Sequence, residues 1–595
     1  MNLPPSYNLF IGRTRELVEI QDALQEYRLV TLTGPGGCGK TRLALECVRQ
    51  LNAPPAGHLC ADGVTWCDLA AVTDPDYVPS RLVTALGLTE RTNVSSTDLI
   101  SEALQFQTRL VVLDNCEHLL AACATLAEAL LEKCSHLTIF ATSTQPLGLA
   151  QEHLYGVPPL AVPEPPASWS AETLAALSES EAVRLFLQRA REIFPGFELT
   201  LQNIAAIVTI CRRLDGLPLA IELAAARVKM LAPAQIVERL DDAFTLLTRG
   251  RPEAWPKHQT LRATLDWSYQ LLSAPEQILL RRLSVFAGSF DVEMVEAVCD
   301  HDLQTAPLDV LTDLVDKSLV SIWRHDQATV RYGLLETIRQ YAHEQLDAAG
   351  ERERLIARHL DWCVKLAEQA EPELKAANQA GWFARLELEH DNLRAALQGA
   401  LEARLVESGL WLAGTLERFW WVRGHLMEGG QWLERLLSHR PDPSDDQARS
   451  IQARALFVAG VLAYRQNDYA RAEVCFQACL RQRQMLEDSA GIALVLNNLG
   501  NVALDRGEFA RATALYQESL RLRREMNDAW GTASLLNNLG NCAADQREYD
   551  QAVTLYTESL VLYRQLGDQW SVASCLNNLG EVARWQGDGD RAEAL

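Results

Sequence analysis

Short apolar runs rich in β-branched residues alternate with amphipathic stretches in the first part of this 595-residue chain. Continuous apolar runs indicate strands buried on both faces, whereas apolar residues spaced three and four apart indicate helices. Four such runs, 28–33, 63–69, 109–115 and 137–142, predict strands. Because helical stretches separate them, the pattern predicts an α/β domain with a parallel sheet covered by helices on both faces.

Helical periodicity dominates the rest of the chain, after a proline-rich stretch at 162–166. Two short β-like stretches interrupt it, at 318–323 and 328–332, and a polar run at 441–446 is predicted to be a linker. The predicted divisions are an α/β nucleotide-binding domain at 1–160, a helical domain at 161–256, a winged-helix-like domain at 257–346, a helical arm at 347–440 and an all-α repeat region at 451–595.

A forty-residue period marks the repeat region. Asn-Asn-Leu-Gly occurs at 497–500, 537–540 and 577–580, and Gly460 fits one step earlier. This regularity predicts a tetratricopeptide-like solenoid of helix pairs. The paired asparagines either line the concave groove as partner-binding amides or bridge neighbouring helices. The same period of forty recurs in four alanines, Ala472, Ala512, Ala552 and Ala592. The aromatic rings predicted to fill the space between helices are Tyr469, Phe509 and Tyr549.

The last of these units stops within its second helix. Solenoid arrays normally finish with a polar capping element, so an open apolar end is expected here. We expect the natural protein to continue beyond residue 595; the alternative is that a partner or another subunit covers this end.

Composition narrows the classes of function. Lys and Arg number 55 against 78 Asp and Glu, and the formal charge of −23 disfavours attraction to nucleic acid or to an anionic membrane. Fourteen cysteines without a CxxC pair or a cluster at zinc-ligand spacing predict reduced, buried thiols. The sequence contains neither a signal-peptide pattern nor an apolar run of about 18 residues. We therefore expect a cytoplasmic protein without membrane association.

The most specific motif fits the phosphate-binding pattern GxxxxGK(S/T). A predicted strand precedes it and a predicted helix follows, which argues against an ordinary glycine-rich turn. The backbone N–H groups would face the phosphates, Lys40 would reach the β- and γ-phosphates, and the Thr41 hydroxyl would hold Mg²⁺. Cys38 is better explained as a small loop-filling residue than as a redox sensor. The predicted binding residues are Gly34, Pro35, Gly36, Gly37, Cys38, Gly39, Lys40, Thr41 and the adjacent Arg42.

A second motif supplies the acid that a magnesium–nucleotide site needs. The apolar strand at 109–113 ends in Asp114, as the Walker B role requires, and Asp114 is the predicted magnesium partner. The next position, where a second acid often polarises the attacking water, is Asn115. Glu117 is the nearest substitute, and the alternative for it is a solvated residue at the start of the following helix.

These motifs occur in an order that resembles a known family, the STAND ATPases, which are related to the NB-ARC switches and to bacterial AfsR-like and LuxR-like regulators. The resemblance covers about residues 9–430. It rests on Phe10-Ile11-Gly12-Arg13 with Glu16, the phosphate loop, LVVLDNCEHL at 110–119, ATSTQPLG at 141–148 and Gly216-Leu217-Pro218-Leu219-Ala220.

The resemblance implies further roles for single residues. Ile11, Gly12 and Arg13 would lie against adenine, and Pro218 would close over the nucleotide, although a proline that merely starts a helix is the alternative. Relatives carry an arginine that senses the γ-phosphate where this chain has Thr144. They also carry a nucleotide-contacting histidine where the matching stretch here is Leu334-Leu335-Glu336. Without that arginine, slow hydrolysis or none is expected.

The winged-helix-like segment is predicted to be structural. It holds 8 Lys or Arg against 13 Asp or Glu, a net charge of 8 − 13 = −5, which disfavours direct DNA binding.

We therefore interpret the chain as an ATP- or ADP-dependent, magnesium-requiring switch. Its repeats would sense a protein or peptide partner, and its nucleotide domains would self-associate according to the bound nucleotide. Two alternatives remain: a repeat scaffold whose nucleotide is structural, and a transcriptional regulator acting through DNA.

Overall fold

The computed structural model describes residues 3–4, 10–52, 60–72, 74–89, 94–164, 170–248, 256–300, 303, 305–324, 330–439 and 445–595. These residues form two compact units. The first contains the described residues up to Cys363 together with Glu387–Gly399, and the second contains Val364–Leu386 and Ala400–Leu595.

A five-stranded parallel sheet forms the centre of the nucleotide-binding region, with the strand order β2-β3-β4-β1-β5. Every residue of β3 and β4 is buried, as expected for strands covered on both faces. The strands are β1 (Leu29–Thr33), β2 (Val64–Asp68), β3 (Leu110–Asp114), β4 (Thr138–Ser143) and β5 (His153–Gly156). The helices of this region are α1 (Thr14–Glu26), α2 (Lys40–Leu51), α3 (Val78–Ala85), α4 (Ser96–Leu104) and α5 (Leu120–Lys133).

The four predicted strands all form, and each differs from its prediction by at most one residue at either end. The edge strand β5 was not predicted. It has four residues, of which Leu154 and Gly156 are exposed, so it lacks the continuous apolar run that identifies a buried strand.

Helices follow the sheet, and a small second sheet interrupts them. The helical region contains α6 (Ala171–Ser178), α7 (Glu181–Ile193), α8 (Ile204–Arg213), α9 (Pro218–Ala225) and α10 (Pro233–Thr248). Next come α11 (Pro256–Gln270), α12 (Ala274–Leu283), β6 (Ser289–Phe290), α13 (Val292–Cys299), α14 (Pro307–Asp316), β7 (Ser321–Arg324), β8 (Val330–Gly333) and α15 (Glu336–Ala348). The antiparallel order β6-β8-β7 against three helices is a winged-helix arrangement; β6 was not predicted, and the part of the second β-like stretch before residue 330 lies outside the described residues.

One hydrophobic cluster runs through all of these regions, from Ile11 in front of α1 to Leu355 beyond α15. The phosphate loop takes part in this packing: the Leu219 N–H of α9 donates to the Gly37 carbonyl at 3.2 Å. A Cβ added to Gly37 would lie 3.0 Å from that of Leu219. Glycine is therefore needed at this position for close approach as well as for its φ of 73°.

The remaining helices lead into the solenoid. The arm contains α16 (Arg352–Glu373), α17 (Gln379–Leu388), α18 (His390–Glu402), α19 (Val406–Thr415), α20 (Glu417–Val422) and α21 (Leu426–Ser438). The solenoid contains α22 (Asp446–Arg465), α23 (Tyr469–Met485), α24 (Ser489–Asp505), α25 (Phe509–Glu525), α26 (Ala529–Asp545), α27 (Tyr549–Leu566), α28 (Gln569–Trp585) and α29 (Gly589–Ala594). Of the predicted linker, residues 441–444 lie outside the described residues.

A glycine and an aromatic ring interlock within each complete helix pair. A Cβ on Gly460 would lie 2.6 Å from the Phe476 ring, and Gly500 and Gly540 have the same relation to Tyr516 and Tyr556. These three rings are buried. The rings predicted for this role, Tyr469, Phe509 and Tyr549, are instead half-buried at the starts of their helices.

The paired asparagines bridge neighbouring repeats. Asn538 Nδ2 donates to Asn497 Oδ1 at 2.9 Å, and Asn578 Nδ2 donates to Asn537 Oδ1 at 3.0 Å. The second asparagine of one unit thus bonds to the first asparagine of the unit before it, which favours the bridging alternative for these side chains.

The fold class predicted from the sequence, an α/β P-loop core followed by helical, winged-helix and tetratricopeptide parts, is confirmed. All 14 cysteines are free thiols, and every one except the partly buried Cys475 is buried. Among the helices that the structure describes, none combines the length and the apolar character needed to cross a membrane.

Candidate functional site

The phosphate loop connects β1 to α2. Gly39 precedes α2 with a φ of 90°, a left-handed conformation that side chains with a Cβ rarely adopt. Lys40 Nζ folds over the loop and donates to the Gly34 carbonyl at 2.8 Å and to the Pro35 carbonyl at 3.3 Å. Cys38 is completely buried beneath the loop, which agrees with a space-filling role.

Two hydroxyls and a carboxylate meet where β3 ends. Thr41 Oγ1 donates to Asp114 Oδ1 at 2.9 Å, and Thr142 Oγ1 of β4 donates to the same oxygen. Asp114 is 2% exposed. Burial, followed by the charge of Asp68, raises the pKa of its carboxyl to about 7. A divalent cation fits this edge, because hydroxyl and carboxylate oxygens are the ligands that Mg²⁺ prefers and its charge would stabilise the buried carboxylate.

Asp68 was missed by the sequence analysis. It ends β2 and lies opposite Asp114 in the parallel register. Asn115, in a left-handed conformation with a φ of 64°, donates from Nδ2 to Asp68 Oδ1 at 3.1 Å. The available signal was the acid at the end of the predicted strand 63–69, since the carboxyl ends of parallel strands share one edge of the sheet.

A cleft above the loop has walls from three parts of the chain. Glu117 reaches it, and its Oε2 is buried without a hydrogen-bond partner among the described residues. Arg42 pairs with Glu222 of α9 at 3.0 Å. The lining residues are Gly36, Gly37, Gly39, Lys40, Thr41, Arg42, Asn115 and Glu117, then Pro218, Leu219 and Glu222, and finally Leu335, Glu336 and Thr337.

The third wall is the start of α15. A Cβ on Gly36 would lie 3.3 Å from Thr337 Oγ1, so this helix contacts the phosphate loop directly. Arg339 holds the Glu336 carboxylate through two hydrogen bonds of 2.8 and 2.9 Å. At the middle position of the stretch 334–336, where relatives of the resembled family carry the histidine, this chain has Leu335.

A smaller cavity adjoins the cleft and shares Gly39, Arg42 and Pro218 with it. Mainly apolar side chains line the rest, which suits a flat heteroaromatic base. The complete lining is Phe10, Ile11, Arg13, Gly39, Arg42, Leu160, Leu185 and Pro218.

Arg13 supports the loop from below. Its guanidinium donates to the Cys38 carbonyl at 2.5 Å and to the Pro158 carbonyl at 3.0 Å, while its backbone N–H donates to Glu181 Oε1. Gly12 lies against the same Glu181 carboxylate. The predicted adenine-side residues thus surround the smaller cavity or lie beside it.

Six predicted site residues line neither cavity: Gly12, Gly34, Pro35, Cys38, Asp114 and Thr144. Gly34 and Pro35 contribute their carbonyls to Lys40 instead. Thr144 is half-buried just after the end of β4.

Comparison with known families agrees with this architecture. Residues 23–158 match the AAA domain, residues 272–347 match the winged helix-turn-helix domain, and residues 451–525 and 531–595 match the tetratricopeptide repeat. The chain is 41% identical over 353 residues to "Uncharacterized protein Rv0894" of Mycobacterium tuberculosis, covering 59% of this chain and 84% of that protein. The chain therefore belongs to the same family as this mycobacterial protein.

Other relatives of this chain are larger. It is 42% identical over 435 residues to "Putative HTH-type transcriptional regulator Rv0890c" of M. tuberculosis, covering 73% of this chain and 46% of the relative. The chain thus spans about half the length of the first curated relatives that it matches. Among solved structures, it is similar to the STAND protein with a tetratricopeptide repeat sensor, PH0952, from Pyrococcus horikoshii. That match has a TM-score of 0.43 and 15% identity over 98% of this chain and 87% of the other.

Proposed function

We propose that this protein is a STAND-type switch that binds ATP or ADP with Mg²⁺ and changes its domain arrangement with the bound nucleotide. One observation carries the proposal: a single cleft at the phosphate loop is walled by α9 and by the start of α15 as well as by the loop itself. A ligand that touches three walls binds differently when any wall moves, and such a difference in affinity is what shifts a conformational equilibrium.

The roles within the site follow from its chemistry. Lys40 would exchange its carbonyl partners for phosphate oxygens, and Thr41 and Asp114 would hold Mg²⁺. The smaller cavity of Ile11, Pro218 and their neighbours would take the adenine ring. Two further contacts, from Arg13 under the loop and from Arg42 to Glu222, would keep the loop and α9 in place around the nucleotide.

Slow hydrolysis, or none, is part of the proposal. An amide, Asn115, follows Asp114 where a second acid would polarise water, and it is already engaged by Asp68. Thr144 supplies no cation for the charge that builds on a transferred phosphoryl group. Glu117 is the remaining candidate for a water-orienting group, because it lines the cleft and its buried Oε2 has no hydrogen-bond partner among the described residues.

The repeats would receive the signal. Tetratricopeptide arrays generally mediate protein contacts, so a protein or peptide is the proposed partner, with nucleotide-dependent self-association as the proposed response.

Regulation through DNA is the second candidate, because the chain contains a winged helix and shares a family with a protein named as a transcriptional regulator. The charge of α14, the third helix of the winged-helix arrangement, argues against it. This helix carries Asp309, Asp313 and Asp316 and no Lys or Arg, so it would repel the phosphates of a groove.

Isothermal titration calorimetry with ATP and ADP tests the nucleotide site. We expect Lys40→Ala to abolish measurable binding in the presence of Mg²⁺, because the variant removes the cation of the loop. Lys133→Ala is the matched control, since Lys133 lies on the exposed side of α5 and pairs only with Asp98 among the contacts described. Equal affinities of wild type and Lys40→Ala would refute the assignment of the site.

A further inference from the structure

A series of polar contacts connects helix α18 to the metal edge, which is the edge of the sheet where Thr41 and Asp114 would hold Mg²⁺. It begins at Asp391, in the first turn of α18, and reaches Arg81 of α3, whose Nη2 lies 3.4 Å from Asp391 Oδ2. Arg81 Nε donates to the Asp68 carbonyl at 3.2 Å. The Asp68 carboxylate in turn accepts from Asn115 Nδ2, beside Asp114. Four residues thus link α18 to the proposed magnesium ligand, and two of them, Arg81 and Asp391, are 310 positions apart in the sequence.

Asp391 has a second guanidinium partner at the α18 end of this series of contacts. Arg394 Nη1 donates to Asp391 Oδ1 at 2.9 Å, so the carboxylate has two guanidinium partners. Burial opposes the charged form, but Arg81 and Arg394 outweigh it and lower the pKa of Asp391 below its usual value. The side chains of Asp391 and Arg81 are each 23% exposed, which protects their ion pair from much of the screening by solvent.

The residues on either side of Asp391 attach the same segment to the winged helix. Asn392 Oδ1 accepts from the Ala287 N–H at 3.0 Å, and its Nδ2 donates to the Ser289 carbonyl at 3.0 Å. Glu389 pairs with Arg331 of β8 at 2.6 Å, and their side chains are 3% and 4% exposed. A buried pair of this kind is costly to break, because either charge would then be left without compensation. The segment 389–392 therefore connects two regions that also wall the nucleotide cleft.

We propose that segment 389–392 is a coupling joint, in which Asp391 holds Arg81 so that Arg81 positions the end of β2 beside the metal edge. Arg81 is then a positioning residue, which acts on the site through Asp68. Movement of α18 would be transmitted to Asp68 and Asn115, and a change at the metal edge would be transmitted back to α18. This inference rests on the proposed nucleotide switch and adds the route by which the site reaches the helices beyond it.

A double-mutant cycle in the full chain tests the joint. The variants are Arg81→Ala, Asp391→Asn and the double variant, where Asp391→Asn keeps the size of the side chain and removes its charge. Affinity for a fluorescent ADP analogue is measured with Mg²⁺ and again in excess EDTA. We expect each single variant to weaken the Mg²⁺-dependent affinity by about fivefold or more, the lower end of typical coupling between sites. The EDTA values should change less than about twofold, and the double variant should match the weaker single variant.

The matched control is Arg352→Ala, which removes an exposed ion pair to Asp347 in the same compact unit. It should leave both affinities unchanged. Circular dichroism establishes that each variant is folded; if Arg81→Ala is not folded, Arg81→Lys replaces it in the cycle. Effects that add in the double variant, or that are equal with and without Mg²⁺, would overturn the joint. Failure of the wild-type chain to bind the analogue would instead refute the switch itself, and the joint with it.

Discussion

At the scale of single residues, the functional edge of the sheet depends on side chains that come from distant strands. Asp114, Thr41 and Lys40 could be identified from the sequence because each occupies a fixed place in a short motif. Asp68 could not be assigned in the same way, since its role arises from its register opposite Asp114. The pairing of Arg81 with Asp391 was equally inaccessible, because no local pattern links residues 310 positions apart.

His359 offers a residue-scale prediction about pH. It is 2% exposed on α16, edge-on to Phe286, and burial lowers its pKa to about 4. The unfolded chain would bind a proton there near pH 6.5, whereas the folded chain would remain neutral down to about pH 4. Folding stability should therefore fall as the pH is lowered through this window, by about 2–3 kcal/mol from this group alone.

His359→Leu removes the titrating group and keeps an apolar side chain of similar size. Urea unfolding of both proteins at pH 7 and at pH 4.5 gives the comparison. The wild type should lose about 2–3 kcal/mol more than the variant between the two pH values, because the remaining titratable groups are the same in both proteins. An identical loss in the two proteins would show that His359 is protonated equally in the folded and unfolded states.

At the scale of elements, periodicity was sufficient to predict the sheet and the solenoid, but the internal packing of the repeats was not predicted from it. The sequence analysis assigned the interhelix space to Tyr469, Phe509 and Tyr549, which lie at helix starts. Phe476, Tyr516 and Tyr556 fill that space instead, because each faces a glycine sixteen residues earlier on the partner helix. A helix crossing determines this contact, and spacing along one helix does not reveal it.

The glycine–ring contact leads to a prediction about element packing. A Cβ on Gly540 would lie 2.6 Å from the Tyr556 ring, so Gly540→Ala should force α26 and α27 apart. We expect the variant to lower the free energy of unfolding by about 1–3 kcal/mol, as overpacked cores do. Gly430→Ala in α21 is the control, because the added Cβ would have no neighbour within 4 Å among the described residues outside its own stretch of helix backbone. That variant should be neutral or gain up to about 1 kcal/mol from its better helix propensity.

Chemical unfolding followed by circular dichroism distinguishes the two glycines. A Gly540→Ala variant as stable as the wild type would mean that the tyrosine ring moves aside without cost, and the interlock would then have no energetic role.

At the scale of the whole molecule, the proposed switch requires the repeats to bias the nucleotide domains. We expect deletion of residues 451–595 to speed ADP release by about fivefold or more, since couplings between sites typically amount to 1–3 kcal/mol. The shortened protein should also self-associate. Stopped-flow release of a fluorescent ADP analogue and analytical ultracentrifugation measure the two effects, and removal of residues 589–595 alone serves as the control. Unchanged release together with an unchanged oligomeric state would favour the scaffold alternative.

The asparagine bridges between repeats have an evolutionary consequence. Each bridge joins the second asparagine of one pair to the first asparagine of the pair forty positions earlier, and the pair Asn537–Asn538 makes both a donor and an acceptor bond. A duplication in the gene that copies one whole unit would therefore create a new boundary already equipped with its bond. Insertions of any other length would break the register. We expect homologous arrays to differ in length by multiples of forty residues. Such proteins would then gain recognition surface by adding whole repeats, without a new type of interface between neighbouring repeats.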